Sequence, residues 1–224
     1  GLYGYGRDER IITQLDLEEM LRNGGVSDVG TVVMIQCAGS RCDERPYCSR
    51  ICCNTALKNA QILRELNRNI DVYIVYRDLQ TYGVEYSALE LNAKRDGVKL
   101  IKYQDDEPPV VTPGEESVAV KVFSPTINEE MKFNADLVVL STPLVPAKEA
   151  PEISKMLRLP LDAFGFFRET HPLSPLDFAT EGVYVCGTAR APKDAVESIS
   201  EGLGVGSKAA ENKYGRRRGR GAAF

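Results

Sequence analysis

No apolar run in the sequence approaches the ~18 residues that a membrane-spanning helix needs. The start, GLYGYGRDER, has none of the pattern of a signal peptide. We therefore expect a cytoplasmic protein without a membrane span. The chain also lacks the basic excess of a nucleic-acid binder, since its formal net charge is -4. Only its end is basic: Lys213, Arg216, Arg217, Arg218 and Arg220 lie among glycines, and residues 211–224 read as a flexible, solvated tail. Histidine is almost missing. The single copy, His171 in the string ETHPLSP, reads as a loop residue without chemistry. Finally, no GxGxxG string follows the first strand-like run, so a nicotinamide nucleotide is not expected there.

What remains is an ordinary soluble composition, 43% apolar and 27% charged, with enough apolar residues for a core. Against that background one stretch stands out. Residues 32–53 read VVMIQCAGSRCDERPYCSRICC and hold five of the six cysteines: Cys37, Cys42, Cys48, Cys52 and Cys53. In a reducing compartment, cysteines clustered this way bind metal or do redox chemistry more often than they form a disulfide framework.

The elements around this stretch follow from periodicity. Gly30 to Gln36 is a β-branched apolar run of buried-strand length, and Ser49 to Asn67 spaces Ile51, Ala56, Ala60, Leu63 and Leu66 along one helix face. Asp71 to Tyr76 is a second strand, which completes a βαβ unit with parallel strands. Val84 to Arg95 as a helix and Val98 to Tyr103 as a third strand continue the rhythm of a doubly wound α/β fold. Val110 to Thr112, Ser117 to Phe123 and Met131 to Phe133 read as a short antiparallel insertion, after which Ala135 to Ser141 returns to the parallel sheet. Upstream, residues 1–25 look like a connector with a short helix capped by Thr13 or Asp16 and stopped at Gly24 and Gly25.

Beyond Pro143 the texture changes, because seven of the twelve prolines fall between positions 143 and 192. Lys148 to Leu157 suits a helix, and Glu181 to Cys186 a last short strand that ends in a small buried Cys186. The segment from Asp194 to Lys213 is a helix rich in small residues. Its three glycines would weaken an isolated helix, so it expects a partner surface.

The cysteine stretch places a loop and a helix start after a buried strand. That is where dinucleotide-binding units receive phosphate on the loop backbone and the helix N-terminus. Thiols stand there instead. Cys37, Cys48, Cys52 and Cys53, drawn from a loop and the first turn of a helix, suit an iron-sulfur cube, whose separate irons accept ligands from several directions. Two alternatives stay open. One is a zinc-stapled interaction module, although adjacent cysteines fit a single tetrahedral ion poorly. The other is a thiol-disulfide oxidoreductase using Cys48 and Cys52, one helical turn apart. Cys42 is left as a spare. Arg41, Arg45 and Arg50 supply positive charge to a site that four thiolates would make negative.

The strings QCAGSR, YCSRICC and, much later, GTARAPKDAVES together closely resemble the A-subunit family of heterodisulfide reductase, over roughly Gly4 to Ala210. The resemblance implies a 4Fe-4S cluster on Cys37, Cys48, Cys52 and Cys53, although the loop between the first two is shorter here than the usual family pattern. It implies a core similar to thioredoxin reductase: residues 26–142 as an inserted nicotinamide-type domain that carries the cluster, and residues 143–210 as the returning part of a flavin domain. Gly187 and Thr188 then match the place where related flavoproteins carry Gly-Asp against the flavin. The helix starting near Asp194 and Ala195 would point at that flavin, with Lys193 beside its ring. These residues hold no first half of a flavin domain, and GLGVG at 202–206 lies inside the last helix. The resemblance therefore implies FAD shared with a partner chain, in a complex of electron-transfer subunits.

Overall fold

The run from Val32 to Ile35 is apolar at every position because both faces of its sheet are covered. The computed structural model describes the chain except residues 27, 82, 172, 179, 181 and 220–224, and describes 84, 85 and 212–219 by their backbone only. The chain divides into two units, residues 1–143 and 144–224.

The first unit is built on five parallel strands: β1 (Ile11–Thr13), β2 (Thr31–Ile35), β3 (Asp71–Tyr76), β4 (Lys99–Lys102) and β8 (Leu137–Leu140), in the order β1-β8-β2-β3-β4. A separate antiparallel sheet runs β5 (Val110–Pro113), β6 (Val118–Ser124) and β7 (Glu129–Ala135). Successive strand residues face opposite sides, and the two cores record that alternation. Val32, Met34, Val72, Ile74, Leu137 and Val139 pack against the helices α1 (Gln14–Asn23), α2 (Cys52–Leu66) and α3 (Val84–Arg95). Val33, Ile35, Val75, Val138 and Leu140 pack instead against Val118, Val120, Val122 and Phe133 of the antiparallel sheet. The unit thus has three layers, with the parallel sheet in the middle.

Most of the expected elements sit where the periodicity placed them: strand 71–76 and helix 84–95 match in full, β5, β7 and α5 run longer than expected, and the others are trimmed or shifted by a residue or more. Residues 1–25 differ from the expected connector. They supply β1, which pairs with β8, and α1, whose Leu17 is fully buried. A three-residue strand is too short to show a period, so the pattern hid it. The helix itself begins with the capping box Thr13/Asp16 and ends at Gly24 in the left-handed conformation.

The second unit holds α4 (Ala150–Leu157), a 3-10 turn at Gly187–Ala189 and α5 (Ala195–Gly219), around a small core of Ala150, Leu159, Phe167, Phe178 and Val185. The strand expected from 181 to 186 is replaced, among the described residues, by an isolated bridge between Asp177 and Tyr184. Cys186 is half-buried rather than buried. Among the described residues no helix is long and apolar enough to cross a membrane.

Candidate metal centre

Strand β2 stops where its neighbours diverge. β3 lies on one side of it and β8 on the other, so the strand order reverses beside β2. In open α/β sheets the crevice outside the carboxyl ends of strands at such a reversal is the ligand site. Here Gln36 N–H still donates to the Val75 carbonyl at 2.9 Å, then Cys37 turns the chain with φ +58°, and Ala38 N–H donates to the Ser141 carbonyl beyond β8 at 3.1 Å. The cysteine loop is therefore fastened to both neighbours of β2.

Cys37, Cys48, Cys52 and Cys53 line one hollow, with Ser40, Arg41, Ser49, Arg50, Asp78 and Gln80 completing its wall. Three of these residues, Cys37, Arg41 and Arg50, have φ between +54° and +65°, a left-handed conformation that costs a residue with a side chain about 1–2 kcal/mol. Such outliers gather where a site needs an unusual chain path. Cys52 and Cys53 open α2, whose preceding residue, Ile51, provides no side-chain cap, and no acid stands in the first turn. The positive end of the helix dipole thus meets the hollow without a competing carboxylate. Backbone N–H groups also reach two of the sulfurs: Arg50 N–H to Cys48 Sγ at 3.3 Å and Gln80 N–H to Cys53 Sγ at 3.4 Å.

As thiols, the two helix cysteines are strongly perturbed. Burial pushes Cys52 up to about 11, with the negative charge of Cys37 and Cys48 adding to it and a Ser49 hydrogen bond working against it. Burial pushes Cys53 up to about 12, opposed by the Gln80 N–H and reinforced by the other cysteines. Four thiolates in this space repel one another and are poorly hydrated, so the site favours cationic metal as the neutralising partner.

The expected cations divide. Arg41 donates to Asp78, and the pair lies on the rim of the hollow. Arg45 donates to the Gly39 carbonyl at 3.0 Å and lies 3.5 Å from Glu44. Three supporting residues were missed. Arg77 donates to the Ser40 and Arg41 carbonyls at 2.9 and 3.1 Å, Tyr103 donates to the Gln36 carbonyl at 3.2 Å, and the Gln80 side chain donates to Asp78. A signal for the first was present in the string YRD, because the residue after the second strand of a dinucleotide unit is where ribose is read. Cys42 lies in a tight turn closed by paired backbone bonds with Arg45, is exposed, and does not line the hollow. His171 is exposed and accepts the Leu173 N–H at 3.1 Å.

The second unit places the other expected residues together on the turn before α5. Gly187 has φ +66°, and its N–H donates to Glu201 Oε2 at 2.8 Å. Lys193 is neither exposed nor free: its ammonium lies 2.5 Å from Glu201 Oε1, with its side chain 4% exposed. Asp194 caps α5 by accepting the Glu197 N–H at 2.7 Å, and Glu197 accepts the Asp194 N–H in return. Thr188 and Ala195 are exposed.

A parallel sheet whose strand order reverses beside β2, layered between helices and an antiparallel sheet, defines the class: an α/β fold of the thioredoxin-reductase type. It is similar to thioredoxin reductase from T. acidophilum, with TM-score 0.56 and 15% identity, covering 95% of this chain and 60% of that one. It is likewise similar to thioredoxin reductase from Lactococcus lactis, with TM-score 0.54 and 17% identity, covering 93% and 61%. No family model matches the chain. Its sequence is 36% identical over 222 residues to the iron-sulfur A-subunit of the CoB–CoM heterodisulfide reductase of Methanocaldococcus jannaschii, covering 92% of this chain and 33% of that protein. It is also 36% identical over 230 residues to the A-subunit of the H2/formate:CoB-CoM heterodisulfide,ferredoxin reductase of Methanococcus maripaludis, covering 93% and 34%. Over most of its length the chain is thus homologous to the A-subunits of heterodisulfide reductase, and it spans about a third of the length of these relatives.

Proposed function

We propose that these residues form the cluster-bearing, electron-transferring part of a heterodisulfide-reductase-like oxidoreductase. Cys37, Cys48, Cys52 and Cys53 hold a 4Fe-4S cluster. The turn carrying Gly187, Thr188, Lys193, Asp194 and Ala195 borders FAD, whose remaining contacts come from outside these residues. One observation carries the reading: the four cysteines line a single hollow at the strand reversal of a dinucleotide-type sheet. When bound, the cluster supplies a one-electron carrier. The chain's own part is to hold it by four thiolates, to direct the Arg50 and Gln80 N–H groups at sulfur, and to aim the uncapped start of α2 at its negative charge. In the second unit Lys193 is committed to Glu201, so its role at the flavin turn is to shape the loop.

The geometry favours a cube over a single zinc. Cys52 and Cys53 are adjacent at the start of α2 and fit a single tetrahedral ion poorly, whereas a cube offers its irons on separate corners. It also disfavours thiol-disulfide exchange, because an attacking thiol needs a depressed pKa and Cys52 is pushed up to about 11. Anaerobic purification followed by iron and sulfide counts tests the reading. We expect about four of each per chain and their loss in Cys48→Ala. A colourless wild-type preparation without iron refutes it.

A further inference from the structure

We propose that Arg77, at the end of β3, is the positioning residue of the cysteine loop and the cation that raises the reduction potential of the cluster held there; this rests on the iron-sulfur reading above. Arg77 sits behind the loop rather than in the hollow. Its guanidinium donates to the Ser40 carbonyl at 2.9 Å and to the Arg41 carbonyl at 3.1 Å, so one planar fork fixes two successive peptides of the loop that begins at Cys37. Its side chain is 11% exposed, while its counterion Asp105, at 2.8 Å, is 65% exposed. The Nε is buried and has no hydrogen-bond partner.

That asymmetry decides which charge the cluster feels. Water and salt screen Asp105 from outside, whereas the buried guanidinium acts through protein of low polarisability. Arg41 is compensated by Asp78, which shares the wall of the hollow, and Arg45, which also grips the loop, is itself more exposed to water than Arg77, at 37%. Adding one electron to an already negative cluster is easier beside a net positive charge, so Arg77 should make the cluster a better acceptor. The position has a further consequence. In a dinucleotide unit the residues after this strand face the ribose, but here Arg77 bonds to the cysteine loop and Asp78 to its Arg41.

The test is a potentiometric titration of the full chain, loaded anaerobically with iron and sulfide and followed by its visible absorbance. Arg77→Gln should lower the equilibrium constant for accepting the electron about tenfold, which is about 59 mV for a one-electron couple. Asp105→Asn, on the exposed side, removes only a screened counterion, so its midpoint should stay near wild type. Arg77→Lys keeps the charge, so its midpoint should also stay near wild type while a chelator strips its cluster faster. An unmoved midpoint in Arg77→Gln, at wild-type iron and sulfide content, overturns the proposal. If Arg77→Gln cannot hold a cluster, Arg77→Lys decides: a midpoint near wild type with faster stripping supports the role of Arg77, and a midpoint lowered by about 59 mV overturns it. Wild-type protein that takes up no iron and sulfide removes the iron-sulfur reading itself, a failure distinct from a loaded cluster that ignores Arg77.

Discussion

Replacing Glu201 by glutamine should cost the second unit about 3 kcal/mol. The carboxylate receives three donors: Gly187 N–H at 2.8 Å, Arg190 at 2.8 Å and Lys193 at 2.5 Å. Arg190 keeps Glu169 at 3.6 Å, but the Lys193 ammonium would be left buried with an amide in place of its counterion. Breaking a buried ion pair from one side costs about 3–5 kcal/mol. Glu201 is itself 18% exposed, so water relieves part of the loss and the lower end applies. Urea unfolding of the full chain, followed by far-UV circular dichroism, should show the decrease. In a double-mutant cycle with Lys193→Met, the double variant should lose less than the sum of the singles. The pH dependence has a defined sign. Burial alone would raise the Glu201 carboxyl, but the Lys193 hydrogen bond, the Gly187 N–H and the charges of Lys193 and Arg190 hold it below its usual value. Its contribution is thus complete above the ordinary carboxylate pKa of about 4.3, and is lost as pH falls through the depressed folded value. The gap between wild type and Glu201→Gln should therefore close in acid. A variant within about 0.5 kcal/mol of wild type at pH 7 would refute the reasoning.

Two further outcomes can be checked directly. In metal-free protein at pH 8, iodoacetamide should label exposed Cys42 well before Cys52 and Cys53, whose thiols are pushed up to about 11 and about 12. Site-resolved mass spectrometry should show their rates climbing with pH, and equal labelling at pH 8 would contradict the assigned burial. On α5, Gly202→Ala should stabilise the helix by up to about 1 kcal/mol, since an added Cβ meets nothing within 4 Å. Gly204→Ala should gain less, because its Cβ would stand 2.9 Å from Leu176 Cδ1; an equal gain in thermal unfolding would show that Leu176 does not pack there.

How much of this was legible in the sequence depended on the length of the signal. Residues 32–35 in β2 and Val72, Ile74 and Val75 in β3 are buried on both faces of the sheet, so the apolar character of these runs survives any choice of partner. β1 is three residues long, and what makes it a strand is its register with Val138–Leu140, more than a hundred residues away. The same distinction holds at the site. The four cysteines are a dense local pattern that pointed to one place, and they line one hollow. Arg77 and Tyr103 act from the ends of neighbouring strands, which only the sheet order brings to the loop. Lys193 shows the same limit from another side. A lysine at a helix start looks either exposed or ligand-facing, and nothing local announces that Glu201, two turns along α5, has already neutralised it.

The missed residues explain how the loop is held in its shape. Left-handed conformations at Cys37, Arg41 and Arg50 together cost about 3–6 kcal/mol. Tyr103, Arg45 and Arg77 return four hydrogen bonds to the carbonyls of Gln36, Gly39, Ser40 and Arg41. At about 1 kcal/mol for the neutral donor and about 1.5 kcal/mol or more for each charged one, these offset the strain. These bonds hold the loop whose four thiols line a common hollow. On the proposed reading, metal binding must also meet the cost of deprotonating Cys52 and Cys53, whose thiols burial pushes up. Loading should therefore release protons and accelerate with pH.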